Sequence, residues 1–295
     1  MNIFDYPSSR KVHTLPTPRL GGIAIFLSFC LSLCFYFIVS TQWHFNKDPF
    51  TFLESKTFLL QLAFYFIGAL IILIVGMLDD IKMIDYRLKL ISQILSAMII
   101  VLSSARFHFF SHEVLNILLS VFWIVGLTNS LNLLDNMNGL ACGLTIIILG
   151  FFAALAYFTD HAPLALFLAI PIGSLLGFLP YNFPKAKIFL GDGGSLFLGF
   201  SLAASSIWLF EHLIRHQVNI LTASSCLLLL ASIPILDTLT VVIIRIKNRQ
   251  PIYVGDTNHL SHQLVRTGLS ATTAVMILYA CTFVTGAISF IYILN

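Results

Sequence analysis

Long apolar runs constrain the fold of this chain more than any other feature of its sequence. We identify nine of them, each close to the roughly 20 residues that a helix needs to cross the hydrocarbon core of a bilayer. Only 10% of the residues are charged, whereas a soluble domain has about 25%. The sequence therefore predicts an all-α polytopic membrane protein with about nine transmembrane helices, forming a single domain over residues 1–295.

The basic residues are distributed unevenly between the two sides that these spans define. The predicted spans cover residues 20–40, 57–78, 88–104, 114–134, 140–158, 164–180, 194–210, 220–244 and 271–293. If the N-terminus lies in the cytoplasm, 12 of the 16 Lys and Arg residues fall on the cytoplasmic side. This asymmetry follows the positive-inside rule and predicts that orientation.

The candidate chemical groups fall on the same predicted side. Asp79 and Asp80 end the second apolar run, where each charge near the bilayer core costs roughly 2.5 to 3.5 kcal/mol on insertion scales. Asn129, Asn132 and Asp135 recur at a spacing of three, which places them along one face of a helix. We expect both groups to serve a purpose other than packing.

Two further polar segments lie on this side. Asp192 stands in the glycine-rich turn GDGG, just before an apolar helix whose amide end suits an anion. The longest cytoplasmic segment, residues 245–268, combines basic residues with His259 and His262. Each feature alone is compatible with a solvated cap or loop, but four polar segments on one side of so apolar a chain indicate a functional site.

The residue types favour a hard cation and a phosphorylated substrate. Carboxylates and carboxamides without cysteine ligands favour Mg²⁺, with Mn²⁺ as an alternative, and Mg²⁺ normally keeps several waters and bridges phosphates. Lys, Arg and His side chains nearby would neutralise phosphate charge. An aspartate beside the ion could accept a proton or attack as a nucleophile. We therefore expect phosphate chemistry at a membrane surface.

Other polar residues leave two interpretations open. Asp237, inside an apolar run, is either part of the site or a structural partner of a helix break. The pairs His108/His112 and His212/His216 have the i, i+4 spacing of zinc ligands. Since the sequence places no third ligand near either pair, we favour interfacial side chains.

Five segments of the chain resemble, in order, the pattern of the polyprenyl-phosphate N-acetylhexosamine-1-phosphate transferases. This bacterial membrane family moves a sugar-1-phosphate from a UDP-sugar onto a lipid phosphate. The segments are DYPSSRKVHTLPTPRLGG (5–22), GMLDD (76–80), NSLNLLDNMNGLACG (129–143), NFPKAKIFLGDGGSLFLGF (182–200) and DTNHLSHQL (256–264). The resemblance covers nearly the whole chain and implies the family's ten-helix core fold.

The chain departs from the family's pattern at a few positions. Asn136 stands where the family has Gly, Asn138 replaces a second Asp, and Ser261 replaces the middle His of the histidine loop. We expect binding to survive these changes, with the phosphate contacts left to the two remaining histidines and Arg249. Family members also have an earlier transmembrane helix, which we expect either to be absent here or to be encoded upstream of the present start codon.

The resemblance implies a role for each candidate residue. It makes Asp79 the group that deprotonates the lipid phosphate or forms a covalent intermediate, with Asp80 supporting it and the metal. It makes Asp192 and Asn132 the Mg²⁺ ligands. The residues implied for the nucleotide or sugar are Lys89, Asp135, Asn138 and Asn182, and those implied for phosphate are Arg249, His259 and His262.

The activity implied by the resemblance is transfer of a sugar-1-phosphate from a UDP-sugar to undecaprenyl phosphate, giving undecaprenyl-diphosphate-sugar and UMP. The opening RKVH and the histidine loop are similar to the branch with simpler sugars, which favours N-acetylglucosamine-1-phosphate. The alternatives are a phospho-N-acetylmuramoyl-pentapeptide transferase, a membrane transporter and an enzyme that transfers the prenyl group itself. Transporters usually place polar groups near the midplane, and the second acidic motif of a prenyl-transferring enzyme is missing.

The implied partners are a UDP-sugar and undecaprenyl phosphate within the bacterial cytoplasmic membrane, at a site that faces the cytoplasm. The reaction would initiate synthesis of a cell-envelope glycan. We expect no nucleic-acid partner, and a homodimer is compatible with the sequence.

Overall fold

The structure is a computed structural model and describes residues 4–5, 16–42, 56–251 and 256–295. Within these ranges it contains two short strands and eleven helices. The elements are β1 (Phe4–Asp5), β2 (Thr17–Pro18), α1 (Gly21–Gln42), α2 (Lys56–Lys82), α3 (Tyr86–Leu102), α4 (Glu113–Leu134), α5 (Leu140–Phe158), α6 (Ala162–Asn182), α7 (Gly191–Arg215), α8 (Ile220–Leu230), α9 (Ser232–Lys247), α10 (Leu260–Arg266) and α11 (Ala271–Leu294). The strands pair antiparallel, and the predicted all-α class is confirmed.

Six of the helices in the described ranges are long and apolar enough to cross a membrane, namely α2, α4, α5, α6, α7 and α11. The pair α8 and α9 would make a seventh span, bent by 69°. The prediction of a polytopic membrane protein is thereby confirmed. Every predicted span coincides with one helix or with this bent pair, but α3 has only 17 residues, which is short for a span. The count of nine therefore stays a prediction.

Helix α7 occupies the centre of the bundle. All of its apolar stretch is buried inside the protein, against 33% to 61% for the other five spans. It packs on α1, α2, α4 and α5, and large side chains such as Phe197 and Phe200 are 0% exposed. Because α7 begins with the GDGG segment, its position brings Asp192 to the middle of one end of the bundle.

Two glycines let neighbouring helices touch the first turn of α7. A Cβ atom at Gly76 of α2 would lie 2.5 Å from the Cα atom of Gly193, and one at Gly22 of α1 would lie 2.3 Å from the amide nitrogen of Gly194. Only glycine permits backbones to approach so closely. Since the aspartate pair follows Gly76 by three and four residues, this contact sets both aspartates beside the start of α7.

Candidate active site

A cavity of about 420 Å³ opens at this end of the bundle. We call it the acidic cavity. It is lined by Asp5, Arg19, Asp79, Asp80, Met83, Asp135, Asn136, Met137, Asn138, Asn182, Phe189, Leu190, Gly191 and Asp192. Three of the four polar segments predicted from the sequence thus form one wall, although they lie far apart along the chain.

Lys89 joins two of the predicted carboxylates at the edge of this cavity. Its Nζ atom lies 2.5 Å from Oδ2 of Asp79 and 2.8 Å from Oδ2 of Asp192. The side-chain amide of Asn132 donates to Oδ1 of Asp192 at 3.0 Å. Four helices, α2, α3, α4 and α7, therefore each supply one polar group. The position of Lys89 places a cation between the two carboxylates, and its predicted contact with the nucleotide stays a prediction.

Asp80 holds the N-terminus of α7. Its Oδ1 atom accepts from the amide of Asp192 at 3.0 Å, and its Oδ2 atom accepts from the amide of Gly193 at 3.1 Å. A guanidinium nitrogen of Arg19 lies 3.9 Å away. Because helix N-termini carry unpaired amides and a partial positive charge, a carboxylate there is stabilising. Asp80 thus fixes the backbone of Asp192. Its predicted support of Asp79 and the metal stays a prediction.

Asp135 follows the last residue of α4 and faces the acidic cavity. Burial, together with the negative charges of Asp192 and Asp80, raises the pKa of the Asp135 carboxyl to about 8. The group therefore holds its proton far above the pH at which a solvated aspartate ionises.

Asn182 ties two cavity loops together. Its Oδ1 atom accepts from the amide of Gly139 at 2.9 Å, and its Nδ2 atom donates to the carbonyl of Ile188 at 2.9 Å. Asn182 is 3% exposed. Asn138 makes a similar link, donating to the carbonyl of Pro184 at 3.2 Å. Both asparagines therefore brace the cavity wall, and their predicted contact with a nucleotide or sugar stays a prediction.

Asp237 belongs with the histidine segment. One of its oxygens lies 2.7 Å from Nδ1 of His259, and the other accepts from the amide of Leu260 at 2.7 Å. Asp237 is 0% exposed. Of the two interpretations left open by the sequence, the structure therefore favours a partner of the candidate phosphate-binding residues, because a carboxylate on one ring nitrogen orients the other. The signal available in the sequence was a lone acid inside an apolar run.

The rest of this segment is built around a second acid. Asp256 accepts hydrogen bonds from Nε of Arg245 at 2.9 Å and from the backbone and side chain of Asn258. Burial acts to raise the pKa of Asp256, but these hydrogen bonds outweigh it and hold the pKa at about 2. Arg249 is exposed beyond the end of α9. Among the described residues, the lining of the acidic cavity includes neither Arg249 nor the two histidines of this segment.

The N-terminal segment also contributes to the cavity. Arg19 forms an ion pair with Asp5, and both side chains line the wall. Neither was predicted as a site residue, although both belong to the opening segment that resembles the family. The RKVH part of that segment lies outside the described residues.

A cluster of histidines lies on α7 and the loop before α6. The ring of His212 lies 4.4 Å from the rings of both His161 and His216, measured between centroids. The sequence did not reveal His161 as a third member. However, no three His, Cys, Asp or Glu side chains within the described ranges are arranged to hold a metal ion. The interfacial interpretation of these histidines stays a prediction.

Comparison with known proteins places the chain in a family. The pattern of glycosyl transferase family 4 matches residues 62–210, about half of the chain. A probable undecaprenyl-phosphate N-acetylglucosaminyl 1-phosphate transferase of Bacillus subtilis is 34% identical over 290 residues, covering 95% of this chain and 74% of the relative. The chain belongs to glycosyl transferase family 4. The predicted family is confirmed, and the matched region contains Asp79, Lys89 and Asp192.

Two other relatives distinguish branches of glycosyl transferase family 4. A decaprenyl-phosphate N-acetylglucosaminephosphotransferase of Mycobacterium tuberculosis is 28% identical over 302 residues, covering 93% of this chain and 72% of the relative. A phospho-N-acetylmuramoyl-pentapeptide-transferase of Staphylococcus epidermidis is 32% identical over 212 residues, covering 67% and 64%. The similarity to the N-acetylglucosamine relatives thus extends over more of the chain.

Proposed function

We propose that this protein transfers N-acetylglucosamine-1-phosphate from UDP-N-acetylglucosamine to undecaprenyl phosphate, releasing UMP. The observation that carries the proposal is the junction of Asp79, Lys89 and Asp192 beside a cavity of about 420 Å³. This junction lies at one end of a membrane bundle, where a lipid phosphate at the headgroup plane can meet a water-soluble donor. The B. subtilis relative, similar over 95% of the chain, is named for this activity.

In the proposed reaction, an oxygen of the lipid phosphate attacks the β-phosphorus of the donor. The bond from that phosphorus to the oxygen bridging the two phosphorus atoms breaks, and its electron pair leaves with UMP. The proton of the attacking phosphate passes to Asp79, whose carboxylate is anchored by the amide of Ile84 at 2.8 Å and by Lys89. A covalent phosphoryl intermediate on Asp79 is the alternative route.

Mg²⁺ fits the residues of this site. The carboxylate of Asp192 and the side-chain carbonyl of Asn132 are oxygen donors, and the ammonium group of Lys89 between two carboxylates indicates that the position attracts positive charge. An open site suits Mg²⁺, which usually takes one or two protein carboxylates and shares its other ligands with phosphates. When bound, Mg²⁺ would neutralise charge on the diphosphate. We assign Asp192 and Asn132 as its ligands, with Mn²⁺ as a substitute.

The remaining candidates are assigned to the donor. Arg249, His259 and His262 would neutralise its phosphates. Asp135 and the asparagines of the cavity wall would surround the nucleotide or the sugar. The uneven distribution of Lys and Arg supports a site on the cytoplasmic face of the bacterial inner membrane.

The test uses the purified full chain with undecaprenyl phosphate, Mg²⁺ and a panel of UDP-sugars, and it measures release of UMP. We expect release with UDP-N-acetylglucosamine, and loss of release when Mg²⁺ is chelated. Release only with UDP-N-acetylmuramoyl-pentapeptide would transfer the assignment to the other branch of the family. No release with any donor would overturn the proposal.

A further inference from the structure

One hydrogen bond joins the histidine segment to the wall of the acidic cavity. The hydroxyl of Ser261 donates to Oδ1 of Asn136 at 2.6 Å, across 125 positions of sequence. Ser261 is 0% exposed, and Asn136 lines the cavity. The orientation of the Asn136 amide is set by its other end, which donates to the carbonyl of Leu133 at 3.1 Å. The oxygen of Asn136 therefore faces the hydroxyl.

Both ends of this hydrogen bond are held by other contacts. On one side, the amide of Leu260 and the ring of His259 are fixed by Asp237. On the other side, the carbonyl of Gly139 accepts from the hydroxyl of Tyr279 at 2.6 Å, which braces the turn that contains Asn136. The bond thus connects two braced segments, and its loss would leave a buried polar group without its partner.

We propose that the Ser261–Asn136 hydrogen bond positions the histidine segment against the acidic cavity and thereby sets how firmly the diphosphate of the donor is held. The inference rests on the proposed function, because it takes the histidines as phosphate contacts. His262 directly follows Ser261, and its ring centroid lies 6.2 Å from that of His259. A displacement of Ser261 would therefore move both rings together.

The buried position of Ser261 also limits the size of the side chain there. Ser261 has no exposed surface, so a larger side chain there needs space that only its neighbours can release. Asn136 and Ser261 are both positions at which the chain departs from the pattern that it resembles, and in the folded protein these two departures touch. We infer that each compensates for the other: the small serine leaves room for the asparagine, and the asparagine supplies the acceptor for the buried hydroxyl.

The test is a double-mutant cycle on the full chain, with UDP and UMP as probes in the presence of Mg²⁺. Ser261→Ala and Asn136→Ala should each raise the Kd for UDP by about 5-fold, the factor that corresponds to one typical net hydrogen bond. The double variant should be no weaker than either single variant. The Kd for UMP, which lacks the second phosphate, should stay unchanged in all three. A merely structural role would weaken both nucleotides alike.

A size swap provides a second test, in which the hydrogen-bonded pair is replaced by one larger and one smaller residue. Ser261→His alone should weaken UDP binding most, and adding Asn136→Gly should restore much of it by releasing space. Ser225→Ala is the matched control, because this exposed serine donates its hydroxyl to the carbonyl of Leu221 in its own helix. It should leave both Kd values and the melting temperature as in the wild type.

The outcomes separate the inference from the proposed function. Additive effects in the cycle, equal losses for UDP and UMP, or no rescue in the swap would each overturn the inference. If the Kd values for UDP show the expected coupling between Ser261 and Asn136, but the wild type releases no UMP with any donor, the proposed function fails while the positioning role stands.

Discussion

Replacing Lys89 by Met would remove the cation that joins two carboxylates at the acidic cavity. The ammonium group lies 2.5 Å from Asp79 and 2.8 Å from Asp192, and the lysine side chain is 18% exposed. Methionine keeps much of the apolar stem, so the change acts mainly through charge. The pair is only partly buried, since the Asp192 side chain is 35% exposed, so we expect its loss to cost about 1 to 3 kcal/mol, between the values for an exposed and a fully buried ion pair.

We expect this loss to lower the midpoint of thermal unfolding in detergent by roughly 2 to 6 °C, since 1 kcal/mol corresponds to about 2 °C in a chain of this size. Added Mg²⁺ should raise the midpoint more in Lys89→Met than in the wild type, because the two carboxylates then gain another cation. Lys82→Met is the matched control, since Lys82 is exposed in the last turn of α2. Equal midpoints for the two variants, or the same response to Mg²⁺ in Lys89→Met and wild type, would refute the reasoning.

Three further predictions concern single acids. Asp192→Asn should reduce UMP release by at least about 100-fold, because charge stabilisation at the reacting group is lost. The protein should stay folded in membranes. Full turnover would exclude Asp192 as a metal ligand. Asp237→Asn should shift the pH profile of turnover. The asparagine can still accept from the amide of Leu260, but it no longer supplies a carboxylate to His259. An unchanged pH profile would leave Asp237 only a structural role. In the metal-free wild type, burial raises the pKa of Asp135 to about 8. The folded state therefore keeps a proton that the unfolded chain releases above about pH 4, so the free energy of unfolding falls as the pH rises from about 4 to about 8. Asp135→Asn should flatten that fall in melting curves between pH 5 and 8, and an equal slope in both proteins would count against the buried acid.

The helices could be predicted from the sequence because a bilayer fixes the length of an apolar run. The span predicted at 114–134, for example, coincides with Glu113–Leu134. The sequence left a helix break in the run over 220–244 open as one interpretation of Asp237, but hydropathy could not predict the 69° bend between α8 and α9, since the run is apolar on both sides of it. Hydropathy reports the total length of such a run and says nothing about a change of direction within it.

The candidate site residues could be proposed from the sequence because polar side chains stand out in an apolar chain, but their contacts could not. A carboxylate such as Asp192 stands out in a chain with 10% charged residues, whereas its contact with Lys89 depends on how α3 packs against α2 and α4. The capping of α7 by Asp80 likewise depends on the close approach at Gly76. The contact between Asn136 and Ser261 joins residues 125 positions apart. Spacing along one segment cannot predict contacts of this kind.

The central claim is that the bond broken lies between the two phosphorus atoms of the donor. It is tested most directly by supplying UDP-N-acetylglucosamine labelled with ³²P in the β-phosphate, together with undecaprenyl phosphate and Mg²⁺. The account predicts that the label moves into the lipid while an equal amount of unlabelled UMP is released. Label that stays in the water phase as UDP, with the sugar alone on the lipid, would contradict it.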